Sequence, residues 1–424
     1  MIGAREAALL ALYDIYFNGA YSNLAVKEML NKCRGMKKNE KALFTNLVYG
    51  VVSRYYTTEY IIKEYSSVKV KKLAKYVRII LALGIYQILY MDKVPDSAAV
   101  NECVKLSKKY CRKGSDRFIN GVLRTVSKEK DNIGYPTDKR EYLSVKYSFS
   151  LDMIDKLLKF YDYEFAEELM SSLNEPAPII LRPNTLKVTA DELVLLLKEQ
   201  DVECEKSEEC VVVKKGFDIA NNKLFTEGFF SVQDKGAYTV SIILSPEENQ
   251  TVIDMCAAPG GKTTHIAELM KNTGRVISCD IYEHKIRLIE NAAKRLGLNN
   301  ISAVVLNSQV FHSEFENIAD RVLCDVPCSG WGIIRRKPDI KLSHTENEGL
   351  HDIQYSILSN AARYVKKGGV IVYSTCTLNK EENEYITDEF IKNNNNFEKV
   401  YEKTFYPNID NSDGFYICRL NRND

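Results

Sequence analysis

Apolar residues recur every three to four positions through the first 130 residues, a spacing that predicts amphipathic helices rather than strands. The pattern is clearest at residues 7–15, 42–60 and 75–90. Pro95 follows the last of these stretches and ends it, because proline cannot continue a helix interior. We therefore predict an all-α bundle over residues 1–130.

The pattern changes over the next hundred residues. Gly134 and Pro136 fall between periodic segments, so residues 131–140 are the best candidate for a linker. Helical spacing returns in two stretches, and a small α/β pattern follows them. The helices are at 152–161, 164–173 and 190–199, and the strands at 179–184 and 210–214. We predict a helical linker and a small α/β subdomain over residues 131–234.

From residue 235 onward, short apolar runs alternate with helical stretches. The predicted strands are 252–254, 276–280, 303–306, 321–325 and 370–373, and the predicted helices are 263–270, 284–296 and 350–365. This alternation is typical of a doubly wound parallel sheet. Two further runs, 397–400 and 414–420, are placed to close the sheet with an antiparallel edge. The third predicted domain is an α/β, Rossmann-like domain over residues 235–424.

A glycine turn joins the first strand of this sheet to its helix. The strand ends at Asp254, and the turn then reads Cys256-Ala257-Ala258-Pro259-Gly260-Gly261-Lys262. Such a junction presents backbone N–H groups and a helix N-terminus at the carboxyl edge of the sheet, where an anionic or polar cofactor binds.

The residues of this turn limit the choice of cofactor. A phosphate-binding P-loop needs glycine where Cys256 stands, and the dinucleotide pattern G-x-G-x-x-G is absent. Asp280 ends the next predicted strand, where Rossmann-like sheets offer a carboxylate to ribose hydroxyls. A nucleoside without a pyrophosphate agrees best with this arrangement, and S-adenosylmethionine is the common one.

Composition sets the outer limits. The 424 residues are 45% hydrophobic and 27% charged with a net charge of +1, as in a globular protein with several cores. An apolar run long enough for a membrane span is absent, and the N-terminus does not read as a signal peptide, so we expect a cytoplasmic protein. The 11 cysteines include no C-x-x-C pair and no zinc-knuckle spacing, so no metal site is predicted.

The near-zero net charge hides an asymmetry along the chain. Residues 1–130 carry 24 Lys and Arg against 11 Asp and Glu, a balance of +13, whereas the remainder carries −12. A basic front half is typical of a segment that binds a polyanion such as RNA, although a solvated helical surface would give the same count.

Three motifs together resemble the signature set of RNA cytosine-C5 methyltransferases. They are Asp-Met-Cys-Ala-Ala-Pro-Gly-Gly-Lys-Thr-Thr at 254–264, Asp325-Val326-Pro327-Cys328-Ser329-Gly330 and Tyr373-Ser374-Thr375-Cys376-Thr377. The likeness is closest to the bacterial Sun/Fmu (RsmB) type, whose members act on small-subunit ribosomal RNA. The resemblance implies S-adenosylmethionine as cofactor, ribosomal RNA as partner and a Rossmann-like methyltransferase domain.

The first domain resembles the NusB-type RNA-binding domain that Sun/Fmu proteins carry at their N-terminus. The likeness rests on residues 83–86, 94–95, 99–102 and 117–124. The small α/β unit similarly resembles the RNA-binding subdomain that precedes the catalytic domain in these enzymes. Two basic clusters are candidates for phosphate contacts: Lys69, Lys71, Lys72 and Lys75, and Lys108, Lys109, Arg112, Lys113 and Arg117.

Two cysteines stand at carboxyl ends of predicted strands, beside the cofactor edge. C5 of cytosine is a poor nucleophile until a thiolate adds at C6, and by position either Cys328 or Cys376 could attack. The resemblance implies that Cys376 is the nucleophile and that Cys328 assists release of the adduct. Asn379-Lys380-Glu381-Glu382 reads as a capping box, which would place Cys376 near a positive helix end that favours its thiolate. Asp325 would then hydrogen-bond the ring.

For the cofactor we expect contacts from Cys256 to Lys262, ribose binding by Asp280 and part of the methionine end at Asp325. After the third strand, where relatives usually carry Asp, this chain has Asn307, whose amide oxygen can accept from the adenine amino group. Trp331 either stacks on RNA or belongs to the core. Arg335-Arg336-Lys337 is a candidate phosphate clamp, or else a solvated loop.

Two other functions remain open from sequence. A transfer-RNA cytosine-C5 methyltransferase would need the same motifs, and a non-catalytic RNA-binding or ribosome assembly factor could keep the same fold. The intact pair Cys328 and Cys376 argues against the second. The target cytosine, the form of the RNA substrate and the oligomeric state are not predicted, beyond favouring a monomer.

Overall fold

The computed structural model describes residues 2–342 and 349–423. The chain divides into two compact units. The helical unit comprises Met1–Asn174 and Arg336–His344, and the sheet unit comprises Glu175–Arg335 and Thr345–Asp424. The predicted middle domain, residues 131–234, is thus divided, because its helices group with the helical unit and its strands with the sheet unit.

The helical unit is built from the amphipathic stretches that the sequence predicts. Its α-helices are α1 Ala4–Asn18, α2 Ser22–Lys32, α3 Lys38–Ser53, α4 Tyr55–Tyr65, α5 Lys75–Tyr90, α6 Asp96–Tyr110, α7 Ser115–Glu129, α8 Lys139–Tyr147, α9 Leu151–Phe160 and α10 Tyr163–Ser172. Leu9, Phe44, Leu83 and Leu123 lie in one continuous core of this unit. Helix α5 is central, since most of its apolar side chains are buried.

Two boundaries in this unit differ from the sequence pattern. The stretch 42–60 is not one helix, because Arg54 leaves helical geometry at φ −107° and ψ 25° and separates α3 from α4. The linker predicted at 131–140 already contains the start of α8, whose first N–H groups at Arg140 and Glu141 are capped by the Asp138 side chain.

A late segment of the chain completes the helical unit. Pro338–Leu342 forms a 3-10 turn whose Lys341 side chain is only 1% exposed. Its ammonium donates to Asn174 Oδ1 at 2.6 Å and to the carbonyl oxygens of Ser53 and Tyr147 at 3.1 Å each. It also lies 4.1 Å from the ring centroid of Phe149. Burial lowers the pKa of Lys341 well below its usual value, and three oxygens replace the water that the ammonium has lost.

The sheet unit begins with a small antiparallel sheet. Its elements are β1 Ile179–Pro183, α11 Ala190–Lys198, β2 Cys204–Ser207, β3 Cys210–Val213, α12 Lys223–Thr226 and β4 Phe230–Val232. The strand order is β2-β3-β1-β4. Thr189 and Glu192 form a reciprocal capping box at the start of α11. The small α/β subdomain predicted from the sequence is confirmed.

A larger mixed sheet follows. Its elements are α13 Lys235–Leu244, β5 Thr251–Asp254, α14 Gly261–Leu269, β6 Arg275–Asp280, α15 Glu283–Leu296, β7 Ile301–Val305, β8 Ala319–Asp325, α16 Leu350–Tyr364, β9 Val365–Thr375, α17 Glu384–Asn393, β10 Phe397–Phe405, α18 Pro407–Asp410 and β11 Phe415–Arg422. Among the described residues the strand order is β10-β11-β9-β8-β5-β6-β7. The central strands are parallel and β10 and β11 are antiparallel, as predicted.

A buried arginine joins the small sheet to the large one within the sheet unit. Arg182 on β1 is 1% exposed and forms an ion pair of 2.8 Å with Glu268 on α14. Its other end donates to the carbonyl oxygen of Gly261 at 2.7 Å and to Gln233 Oε1 at 2.5 Å. The first turn of α14 is therefore fixed by a side chain from the small sheet.

Among the helices of residues 2–342 and 349–423, all are too short or too polar to cross a membrane.

Candidate active site

The turn after β5 is held between both neighbouring strands. Met255 N donates to the carbonyl oxygen of Leu323 on β8 at 2.9 Å, and Ala257 N donates to that of Cys279 on β6 at 2.8 Å. Gly260 has φ +101°, and a Cβ there would lie 3.2 Å from Ile289 Cα, so glycine suits both the turn and the approach of α15. The N-terminus of α14 begins directly after this turn.

Asp254 is fully buried beneath the turn. Its Oδ2 accepts from Thr263 Oγ1 at 2.6 Å. The pKa of Asp254 is raised to about 7, mainly by burial, with a contribution from the nearby Asp325 carboxylate and with the Thr263 hydrogen bond opposing the shift. The strand end below the cofactor edge therefore carries a carboxyl group that titrates near neutral pH.

The residues predicted to bind the ribose and the adenine lie at the same edge of the sheet, because β6 and β7 follow β5 in the strand order. Asp280 ends β6 and accepts from Tyr282 N at 3.1 Å. Asn307 Oδ1 accepts from Gln309 N at 3.1 Å, which uses part of the capacity predicted for adenine. Its neighbour Ser308 ties this loop to the cofactor turn, donating to the Met255 carbonyl oxygen at 2.5 Å.

Lys262 faces Asp325 instead of extending along the turn. Its Nζ lies 2.7 Å from Asp325 Oδ2, and Ser374 Oγ donates to Asp325 Oδ1 at 2.9 Å. Asp325 and Ser374 are register partners on the parallel strands β8 and β9. Both carboxylate oxygens of Asp325 thus have a donor, which fixes the orientation of the group. Ser374 is a member of the site that the sequence did not single out, although it lies within a recognised motif.

The two candidate cysteines are in contact. Cys328 follows β8, Cys376 follows β9, and their Sγ atoms are 3.3 Å apart. The pKa of Cys328 is raised well above its usual value by its hydrogen bond to Cys376, by burial and by the negative charge of Cys376 and Glu382. Together these influences favour the neutral thiol form of Cys328.

The capping box predicted at 379–382 is wrong. Lys380–Glu382 is a 3-10 turn, and α17 begins only at Glu384, so no α-helix N-terminus stands three residues after Cys376. The Asn379 side chain does accept from Glu381 N at 3.2 Å. The Glu382 carboxylate, however, turns away from Asn379 N and towards the loop of Cys328, accepting from Ser329 N at 2.8 Å.

Two further predictions are settled by burial. Trp331 is 6% exposed, so it belongs to the core and does not stack on RNA. Arg335 is buried at 3% side-chain exposure in an ion pair of 2.7 Å with Asp413, so its assignment to a phosphate clamp is wrong. Arg336 and Lys337 are exposed. The sequence signal alone, a run of three cations, does not separate a buried ion pair from a surface cluster.

Comparisons with known proteins agree with this architecture. The family model of the 16S rRNA methyltransferase RsmB/F matches residues 241–421, the NusB family model matches 3–128, and the ferredoxin-like domain of RsmF/B-like methyltransferases matches 153–220. The probable ribosomal RNA small subunit methyltransferase B of Bacillus subtilis (strain 168) is 37% identical over 99% of this chain and 98% of its own length. The corresponding Synechocystis protein is 32% identical over the whole of both chains.

Solved structures share the fold. The crystal structure of PH0851 superposes with a TM-score of 0.82 at 26% identity, covering 98% of this chain and 97% of that one. NSun6 from Pyrococcus horikoshii with SFG gives a TM-score of 0.58 at 23% identity over 68% of this chain and 98% of its own.

The fold and the matches define an RNA methyltransferase. The chain belongs to the ribosomal RNA small subunit methyltransferase B family. The helical NusB-type domain and the Rossmann-like sheet predicted from the sequence are confirmed, and a methyltransferase family agrees with S-adenosylmethionine as the predicted cofactor.

Proposed function

We propose that this enzyme methylates C5 of one cytosine in small-subunit ribosomal RNA through a covalent bond between Cys376 and C6 of the base. The observation that carries the proposal is the 3.3 Å contact of Cys328 and Cys376 at the ends of adjacent parallel strands, beside an oriented Asp325. A single strand-end cysteine would be unremarkable core. Two thiols in contact, one of them held protonated, are the arrangement that nucleophilic attack and release require.

The cofactor edge accommodates a nucleoside with a cationic methyl group, and S-adenosylmethionine supplies that methyl group as an electrophile. Asp280 offers a carboxylate to ribose hydroxyls, and the N-terminus of α14 begins at Gly261, directly after the turn. The ion pair of Lys262 with Asp325 connects the cofactor turn to the strand end that carries Cys328, since Asp325 precedes Cys328 by three residues.

The residues divide the reaction between them. The Cys376 thiolate adds to C6, and the electron pair moves into the ring so that C5 can attack the methyl group. Asp325, fixed by Lys262 and Ser374, is placed to hydrogen-bond the ring where that charge develops. For release, the C6–S bond breaks as the C5 proton departs. Cys328 gives its proton to the leaving sulfur of Cys376 and regains one from C5, so that protons balance.

Transfer of a tritiated methyl group tests this proposal. We expect label as 5-methylcytosine in unmodified small-subunit ribosomal RNA, no label in bulk unmodified transfer RNA, and none in either RNA with Cys376→Ala. Label in transfer RNA would contradict the proposed substrate, and label at an atom other than C5 would contradict the proposed reaction. Supplying a small-subunit particle in parallel tests whether assembled protein is part of the substrate, and no label in any RNA would favour an assembly factor.

A further inference from the structure

A buried carboxylate outside the recognised catalytic set lies beside the two thiols. Glu382 is 3% exposed. Its Oε2 accepts from Ser329 N at 2.8 Å and from Gln354 Nε2 at 3.1 Å. Its Oε1 accepts from Ser329 Oγ at 2.5 Å and from Asn379 Nδ2 at 2.9 Å. Four donors converge on one carboxylate, which is the number of lone-pair sites that an ionised carboxylate offers.

These donors hold the Cys328 loop from both sides. Ser329 directly follows Cys328, and Glu382 takes both its amide and its hydroxyl. Pro327 directly precedes Cys328, and its carbonyl oxygen accepts from the same Gln354 amide at 2.9 Å. The peptide that carries Cys328 therefore has fixed neighbours before and after it.

The same network reaches the Cys376 loop. Thr377 directly follows Cys376, and its hydroxyl lies 2.7 Å from that of Ser329. The carbonyl oxygen of Cys376 accepts from Gly332 N at 3.0 Å. Asn379, which binds Glu382, belongs to this loop as well. Glu382 is thus the group to which both thiol-bearing loops are tied.

We propose that Glu382 is a positioning residue that holds the Cys328 loop against the Cys376 loop and, by its negative charge, assigns the proton of the pair to Cys328. This inference rests on the roles of the two cysteines proposed above. The side-chain hydrogen bonds of Glu382 described above go to Ser329, Gln354 and Asn379, so it acts on the thiols through Ser329 and through its electric field.

The charges that face Cys328 agree with this assignment. They are the Cys376 sulfur, the Glu382 carboxylate and the phenol of Tyr373 on β9. Tyr373 donates to the backbone oxygen of Glu382 at 2.7 Å, and burial raises its pKa well above the usual value, so it stays neutral. The two groups that can be charged are both negative, and both favour a neutral Cys328.

Glu382→Gln tests the charge. We expect iodoacetamide to modify Cys376 faster than Cys328 in the wild-type protein, and the ratio to fall about tenfold in the variant, since one pKa unit changes the thiolate fraction tenfold. The pH midpoint for alkylation of Cys328 should move to lower pH. Rates at each cysteine are read by peptide mass spectrometry of the full-length protein. Glu398→Gln, the same change at an exposed position on β10, serves as control.

Two further variants separate charge from geometry. Glu382→Asp keeps the charge but shortens the reach, so the Cys328 midpoint should stay near that of the wild-type protein while methyl transfer slows. Ser329→Ala removes one tie and should slow methyl transfer with the midpoint unchanged, and it tests the geometry even if Glu382→Gln fails to fold.

A folded Glu382→Gln protein with unchanged ratio and midpoint would overturn the assignment of the proton, and normal methyl transfer by Ser329→Ala and Glu382→Asp would overturn the positioning role. Alkylation needs neither RNA nor methyl donor. A shift in alkylation without any methyl transfer in the wild-type enzyme would therefore contradict the proposed reaction and leave the role of Glu382 intact.

Discussion

The two catalytic thiols differ in environment although they lie 3.3 Å apart. Burial, the contact with Cys376 and the negative charge of Glu382 favour the neutral form of Cys328. Because nucleophilic attack needs a thiolate, this difference supports the proposal that Cys376 attacks and Cys328 transfers a proton.

Cys328→Ala should trap the reaction after methyl transfer. Attack by Cys376 persists, but the leaving sulfur has lost its proton donor, so a covalent protein–RNA adduct accumulates. A denaturing gel with labelled RNA should show an RNA band shifted by the mass of the attached protein. Cys328→Ala/Cys376→Ala is the matched control and should show no such band. An adduct-free Cys328→Ala enzyme that still turns over would contradict the role of Cys328.

Asp254 gives a pH dependence of stability. The pKa of Asp254 is about 7 in the folded state and about 4 in the unfolded chain, so the folded state binds the proton more tightly. Protonated Asp254 contributes up to about 4 kcal/mol to the free energy of unfolding. This contribution is fully present below about pH 4 and is lost as the pH rises through about 7. Urea unfolding without cofactor, followed by Trp331 fluorescence, should show this loss in the wild-type protein. Asp254→Asn should lack it, and an equal slope in both would contradict the assignment.

The motif residues of the site could be predicted from sequence, because each stands at a strand end where β/α sheets place function. Glu382 could not. Its neighbour Asn379 could be paired with it from sequence, but the donors Ser329 and Gln354 are distant in the chain, and only the fold brings them to Glu382. The prediction for Arg335 was wrong for the same reason, because its ion-pair partner Asp413 is distant in the sequence.

At the scale of elements, the decisive contact is the one between β1 and α14. Arg182 spans from the small sheet to the first turn of the helix that begins the cofactor edge. The side chains of both Arg182 and Glu268 are almost entirely buried. Removing one partner of a buried ion pair strongly destabilises the fold, because the other charge is left buried alone. Replacing both partners by apolar residues costs much less stability.

Arg182→Met should therefore destabilise the sheet unit by about 3–5 kcal/mol, because Glu268 is left buried without its partner. The double variant Arg182→Met/Glu268→Met should recover much of this loss. Urea unfolding followed by Trp331 fluorescence measures both, since Trp331 is the one tryptophan of the chain and lies in the sheet unit. A single variant as stable as the wild-type protein would show that the ion pair does not hold these elements together.

Element types were predicted well where the hydrophobic period was long and less well at breaks. The strands β5, β6 and β8 and the helix α15 lie within a few residues of their predicted bounds. The break at Arg54 was missed because the apolar period continues across it. Strand β9 begins at Val365, before the predicted start at residue 370, beside a register shift between Ala319 and Arg321. Glycines there signalled an irregular strand, not its end.

At the scale of the molecule, the helical unit includes the segment at 336–344. Lys341→Met would remove the ammonium that donates to Asn174 Oδ1 and to the carbonyl oxygens of Ser53 and Tyr147. Buried acceptors that lose a donor cost stability, so we expect a loss of about 2–4 kcal/mol.

Far-ultraviolet circular dichroism during urea unfolding measures this loss. The transition of the helical unit should move to lower urea for Lys341→Met and stay in place for Lys337→Met, an exposed neighbour that serves as control. The Trp331 fluorescence transition provides an independent record of the sheet unit. Equal helical transitions in the two variants would mean that the buried ammonium contributes little.

Because residues 336–344 belong to the helical unit, two separate parts of the gene encode this unit. A gene fragment that stops after codon 174 would encode the helices without the lysine that fills their interior acceptors. Residues 1–174 alone therefore lack a side chain that stabilises the helical unit. Recombination that moved its first 174 codons alone would leave Asn174 Oδ1 and the backbone carbonyl oxygens of Ser53 and Tyr147 without this donor, so the two parts of the gene are expected to evolve together.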